Sequence, residues 1–356
     1  MSSSSDTVRS TRALVERGLI ATDQAPTIER VASRYAVAIS KAVIDTIDVD
    51  DARDPVALQY VPSSAELEQS DQELQDPIGD HAHSPLPGLV HRYPDRVLLK
   101  PTLVCPVYCR FCFRREMVGH HADKPLTDPQ LDAIANYIAA RPQIWEVIVS
   151  GGDPLAMSPR RIGALIDRLR SIRHVKVLRW HSRVPVVTPE RVTAELAELL
   201  ASATQTSYIM VHANHANEFS APARQACKTL IDAGNSLMSQ TVLLRGINDN
   251  VDTLSMLMRT FVEQRITPYY LHHPDLAPGT AHFRVPLAKG QRLMRALRGR
   301  YSGLCQPTYV VDIPGGAGKS PIDHQYLAQN PDGGYQVQDY QGQWHDYSEA
   351  DGDSGS

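Results

Sequence analysis

A partial (βα)6 barrel of the TIM-like kind, preceded by a helical N-terminal segment, is the fold this sequence predicts. Two observations predict it. From Arg96 onward, six strand-like apolar runs alternate with helix-like stretches, and parallel strands need such crossover connections. The motifs that carry chemistry stand just after those runs, at what would be the C-terminal ends of the strands, where such folds keep their sites.

Strands are expected at 96–104, 145–150, 175–181, 207–212, 236–244 and 266–272, with a seventh strand-like run at 308–312 leading into a glycine-rich loop. Helix starts are marked between them. Thr127-Asp128-Pro129-Gln130 has capping-box spacing with proline in the first turn. Ser158-Pro159, Thr188-Pro189-Glu190 and Ser220-Ala221-Pro222 mark three more starts. Ile162, Leu165, Ile166, Leu169 and Ile172 fall on one face of the second of these helices. Upstream, Ile28, Val31, Tyr35, Ala38 and Ala42 recur at helical spacing, and residues 70–95 show no period. The chain therefore divides into an N-terminal helical segment and crossing region (1–90), a core (91–325) and a C-terminal tail (326–356), whose last ten residues are expected to be disordered.

Composition narrows the class. The chain has 356 residues, 42% of them apolar, enough for one large core. With 36 basic and 40 acidic residues, its net charge of −4 gives no general attraction to nucleic acid or an anionic membrane. The polar N-terminus lacks a signal-peptide core, and no apolar run reaches the ~18 residues of a membrane span. A cytoplasmic protein is expected.

Three of the five cysteines cluster, as CPVYCRFC at Cys105, Cys109 and Cys112. Such a cluster points to metal ligation in a reducing compartment, not to disulfides. Three thiolates on one loop can hold three irons of a [4Fe–4S] cubane and leave the fourth open, whereas ferredoxins ligate all four. A zinc site would want a fourth ligand. Cys227 and Cys305 read as core residues. His212 and His215 form H-x-x-H with no third ligand, which disfavours a metal. SGGDP at 150–154 is by itself an ordinary turn. In YVVDIPGGAGKSP, Ile313 stands where a P-loop needs its first glycine, so nucleotide binding is disfavoured; Lys319 on that loop could instead form a Schiff base with an aldehyde such as pyridoxal phosphate.

The C-x3-C-x2-C spacing after the first strand of a six-unit βα barrel resembles the radical SAM superfamily, so the barrel is expected to be of the radical SAM type. That resemblance implies S-adenosylmethionine on the open iron, near SGGDP. YPDRVLL, the cysteine motif, SGGDP, SRVPVVTPERVT, QTVLLRGIND, PDLAPGTAHFR and YVVDIPGGAGKSP, in this order, resemble the lysine 2,3-aminomutase family over about residues 50–325. The resemblance implies an aminomutase converting L-lysine to β-lysine. In it Lys319 matches the pyridoxal-phosphate lysine, and Arg92 and Arg96 match residues that hold the cofactor phosphate. Arg114 matches the arginine for the substrate carboxylate, and Asp275 and Asp312 the aspartates for the distal ammonium. Gly152, Asp153, His212 and Gln240 are S-adenosylmethionine neighbours by the same reading. An external electron donor such as flavodoxin or ferredoxin is expected, as is a homo-oligomer.

Two departures stand out. Asn250 occupies the position of a zinc-binding cysteine of longer members, and no cysteine follows Cys305, so no zinc is expected. The chain ends 37 residues after Lys319, so the zinc-binding extension is expected to be absent. Three alternatives stay open beside this reading. They are a β-lysine-forming enzyme of the elongation factor P pathway, a 2,3-aminomutase for another amino acid such as glutamate, and a non-catalytic iron–sulfur protein.

Overall fold

The computed structural model describes residues 7–119, 124–331 and 334–347. Nine strands form one sheet among these residues, arranged in sequence order. They are β1 (Leu89–Tyr93), β2 (Arg96–Thr102), β3 (Glu146–Gly151), β4 (Val177–Ser182), β5 (Thr206–His212), β6 (Ser236–Val242), β7 (Thr267–His272), β8 (Thr308–Ile313) and β9 (Gly318–Pro321). From β2 to β8 all neighbours run parallel. The two edges are antiparallel hairpins, β1 on β2 and β9 on β8. The result is a nearly closed, barrel-like sheet of the expected kind, with β1 and β9 facing each other as unpaired edges.

Helices 128–139, 159–170, 194–201, 221–232, 251–263 and 287–297 each lie between successive parallel strands. Their apolar stripes supply the core. Helix Pro159–Arg170 buries Ile162, Leu165, Ile166 and Leu169, and Ser158 Oγ accepts from the Arg161 N–H, as its sequence predicts. Cys227 and Cys305 are buried in the apolar core.

Two expectations need correcting. The helix expected to start at Thr188 starts at Thr193, whose Oγ1 accepts from the Leu196 N–H at 3.1 Å. Pro189–Arg191 form a separate 3-10 turn, held because Arg191 donates to the carbonyls of Leu155, Ala156 and Met157. The helix through Ile28 ends at Arg34. Tyr35 turns extended, and Ile39 pairs with Val8 as an isolated bridge, so Ala38 and Ala42 belong to no common helix with Ile28. Residues 70–95, which show no period in the sequence, include β1.

The tail folds as far as Tyr347 into an antiparallel sheet of β10 (Leu327–Gln329), β11 (Tyr335–Gln338) and β12 (Trp344–Tyr347). The disorder expected for the last ten residues falls, beyond Tyr347, outside the described residues. No helix among the described residues is long and apolar enough to cross a membrane.

The N-terminal segment covers the cysteine loop. Tyr108 and Arg110 donate backbone N–H bonds to the carbonyls of Ala38 and Gln59. Glu66, fully buried, receives Arg110 and Arg115. Arg183 at the end of β4 joins Tyr60 and Glu218 in the same way, at 2.7 and 3.0 Å.

Candidate active site

The cysteine loop leaves the C-terminal end of β2, and the SGGDP loop leaves the end of β3 beside it. Two backbone bonds zip them together, Gly152 N–H to Thr102 O at 2.8 Å and Asp153 N–H to Val104 O at 2.9 Å. A side chain at position 152 would put its Cβ 2.5 Å from Val104 O, so only glycine permits this approach. Asp153 is buried, and its carboxylate accepts from Ser182 Oγ and from the N–H groups of Leu155, Arg183 and Val184. That fixes the loop against the end of β4.

Burial raises the pKa of each of the three clustered thiols, that of Cys109 to about 12. Without a cation they are thiols, not thiolates. Among the described residues no three Cys, His, Asp or Glu groups converge on a single metal ion. A cubane takes one thiolate per iron, and Cys105, Cys109 and Cys112 are three free thiols on this one loop. His212 and His215 do not act together: His212 Nε2 lies 3.2 Å from His181 Nδ1, and His215 caps Asn217. Gln240 lies beside His212 in the β5–β6 register. Asn250 caps helix Val251–Glu263 by accepting from the Thr253 N–H.

A cation cluster stands beside the cysteine loop. Asp80, buried at 4% exposure, receives Arg92 at 3.2 Å, Lys100 at 3.3 Å and Arg114 at 3.2 Å. Burial alone would raise the Asp80 pKa; Arg114 and Lys100 outweigh it and hold the carboxyl below its ordinary value. One carboxylate faces three cations, and the Nε atoms of Arg92 and Arg114 are buried without partners. Such a surplus of buried donors suits an anionic ligand. Arg96 is placed differently. It pairs with Asp95 and stacks 3.8 Å above the Tyr93 ring, whose hydroxyl accepts the Lys319 backbone N–H at 2.7 Å.

Lys319 sits on β9 directly across from Asp312 on β8, and its ammonium donates to Asp312 Oδ2. His272 Nδ1, at the end of β7, lies 3.5 Å from the same oxygen. Asp312 Oδ1 is buried and has no partner. Asp275, on the loop after β7, has its pKa lifted to about 7, first by burial and then by Asp312, with Lys319, Arg114 and Asp80 also within electrostatic reach. The glycine loop before Lys319 is packed against the crossing region: His83 Nε2 lies 3.0 Å from Gly316 O, and a Cβ on Gly79 would meet Gly316 N at 2.4 Å.

The structure thus gathers Arg92, Arg114, Asp275, Asp312 and Lys319 into one charged site, with Arg96 joined to it through Tyr93. It adds Asp80, Lys100, His272 and Tyr93, which sequence reasoning missed. One signal was available for Lys100: a lysine inside the apolar strand RVLLKPTLV must find a counterion when buried.

Residues 99–257 match the family model described as the Radical SAM superfamily, and residues 294–354 match one described as Lysine-2,3-aminomutase. An L-lysine 2,3-aminomutase of Fusobacterium nucleatum is 43% identical over 305 residues, covering 85% of this chain and 71% of that one. An L-lysine 2,3-aminomutase of Acetoanaerobium sticklandii is 43% identical over 304 residues, covering 85% and 73%. A glutamate 2,3-aminomutase of Clostridioides difficile is 35% identical over 303 residues, covering 84% and 70%.

Proposed function

Given that the chain belongs to the lysine 2,3-aminomutase family, we propose that it is an isomerase that moves the amino group of L-lysine from C2 to C3. The observation that carries this substrate is the acidic pair that lacks a second cation. Among the described residues, Asp312 Oδ1 is buried without a partner, and the Asp275 carboxyl, pushed to about 7, has no ion-pair partner. A distal ammonium would supply what both lack, and a distal carboxylate would be repelled. Glutamate, the substrate in one relative's name, fits this end poorly.

Radical SAM membership brings a [4Fe–4S] cluster and S-adenosylmethionine, which together supply a carbon-centred radical for hydrogen abstraction. Cys105, Cys109 and Cys112 would ligate the cluster. Gly152, His212 and Gln240 would neighbour S-adenosylmethionine, and Asp153 would shape the loop that meets it. Pyridoxal phosphate supplies an aldehyde to carry the amine and a ring to delocalise an unpaired electron. Lys319 would hold that aldehyde, and Arg92 would hold the phosphate with Arg96 behind Tyr93. The unpartnered Arg92 Nε supports the fit.

The remaining work falls to the chain's own side chains. Arg114, fixed by Asp80, would orient the substrate carboxylate by a two-pronged contact. Asp275 and Asp312 would draw the far end of the chain in the opposite sense, so that a single pose of the substrate is held for reaction. The N-terminal segment laid over the cysteine loop would keep water out. One-electron supply would come from an external donor of the flavodoxin or ferredoxin class, and we expect a homo-oligomeric cytoplasmic enzyme.

The test is anaerobic incubation of reconstituted protein with L-lysine, S-adenosylmethionine and dithionite, with chiral analysis of product. β-Lysine is expected, and its enantiomer separates the metabolic reading from the elongation factor P reading. Norleucine, which lacks the ammonium, should not react; turnover of norleucine or glutamate equal to that of lysine would overturn ammonium recognition.

A further inference from the structure

Lys319 and Asp312 are cross-strand partners in the β8–β9 hairpin, and the ammonium lies on the carboxylate that the substrate's own ammonium is meant to use. The contact is held from both sides. The backbone N–H of Lys319 is tied to Tyr93, and Asp312 is flanked by His272. A tethered side chain competes at an effective concentration of about millimolar or more, so a free amine in solution meets a filled position.

We propose that Lys319 is a built-in plug for the distal-cation site. Free, its ammonium occupies the position at Asp312. When its ammonium gives one proton to solvent and the amine condenses with an aldehyde, the C=N bond forms as the aldehyde oxygen leaves as water with the two remaining N–H hydrogens; the nitrogen then carries at most one N–H, regained by protonation, and turns toward the aldehyde carbon. Among the described residues Asp312 then has His272 as its one remaining ionisable contact, with Asp275 near, and the pair is open to an incoming ammonium. The cation site is therefore made by cofactor loading, and the protein without cofactor is closed to lysine's far end. This rests on the reading of Lys319 as the cofactor lysine and of Asp312 as the ammonium acceptor.

The probe is n-butylammonium, the far end of lysine without the amino-acid head, titrated calorimetrically into cluster-reconstituted protein free of pyridoxal phosphate. Lys319→Met is expected to bind it at least about tenfold tighter than the wild type, a difference of about 1.4 kcal/mol. Adding Asp312→Asn to Lys319→Met should abolish that gain. A second measurement needs no variant: wild-type protein loaded with pyridoxal phosphate should bind the probe tighter than unloaded wild type. Equal affinities in both comparisons overturn the plug. If the loaded enzyme isomerises lysine yet the affinities are equal, only the plug fails. If the tenfold gain appears and no β-lysine forms, the plug stands and the lysine reading falls.

Discussion

Glu66 and Arg110 meet as a buried two-pronged ion pair, Arg110 Nε on Oε1 at 3.0 Å and Nη2 on Oε2 at 2.6 Å, with Arg115 sharing the second oxygen. Burial alone would raise the Glu66 pKa, and the two arginines outweigh it and leave the carboxyl below its ordinary value. The pair ties the N-terminal segment to the loop that carries the cysteines. Glu66→Gln leaves two guanidinium groups short of a counterion inside the protein. The expected loss is about 3–5 kcal/mol of stability, seen as a lower denaturant midpoint, together with poorer iron retention after anaerobic reconstitution. An unchanged midpoint would refute this account of the pair.

Replacing any one of Cys105, Cys109 or Cys112 by Ala should abolish the cluster and S-adenosylmethionine cleavage. Cys227→Ala and Cys305→Ala should leave iron near four per chain, since both are core residues. Iron analysis and low-temperature electron paramagnetic resonance of the reduced protein decide it. A Cys105→Ala protein that still cleaves S-adenosylmethionine would show the ligand assignment to be wrong.

Asp275 gives the protein a signed pH dependence. Its folded pKa, about 7, lies above the ~3.9 of an unfolded aspartate. The folded state therefore binds more protons, and this group's contribution to stability falls as pH rises from about 4 to about 7, then levels off. Asp275→Asn should remove that slope, so the variant without cofactor should be more stable than wild type at pH 8 and similar to it at pH 4. Thermal unfolding at the two pH values checks the prediction; a variant less stable at pH 8 would contradict it.

Asp80 balances three cations. Asp80→Asn leaves Arg92, Lys100 and Arg114 facing one another without their shared anion. Inorganic phosphate should then stabilise the variant more than the wild type, because a ligand that binds the folded state tighter shifts unfolding further. A thermal shift with phosphate that is equal in both proteins would mean that Asp80 is not their counterion.

The parallel strands were legible to within one or two residues because each is an apolar run closed by turn residues, and Thr127, Ser158 and Ser220 behaved as caps. The edge hairpins were not. β1 and β9 are only five and four residues long, and each exists because β2 or β8 offers it hydrogen bonds. Thr188 and Thr193 are both good cap residues on paper. The choice between them is made by Arg191 reaching three carbonyls of a distant loop. Asp80 was invisible for a similar reason: its partners lie 12, 20 and 34 residues along the chain, and no periodicity links them. The cysteine cluster stands out as a local spacing, C-x3-C-x2-C, whereas Lys319 is singled out only by the resemblance of the motifs around it.

The edges of the sheet have a consequence for how this protein would wear. β1 and β9 share no ladder, so the gap between them is bridged by side chains and tight turns: Tyr93 under Lys319, Gly318 against the Tyr93 ring, Gly79 against Gly316. A closed ring of strands would spread a local injury around its circumference. Here the stitches across the gap are the same groups that position Lys319. Damage to them would be felt first as lost chemistry, in a molecule whose parallel strands and helices were still intact.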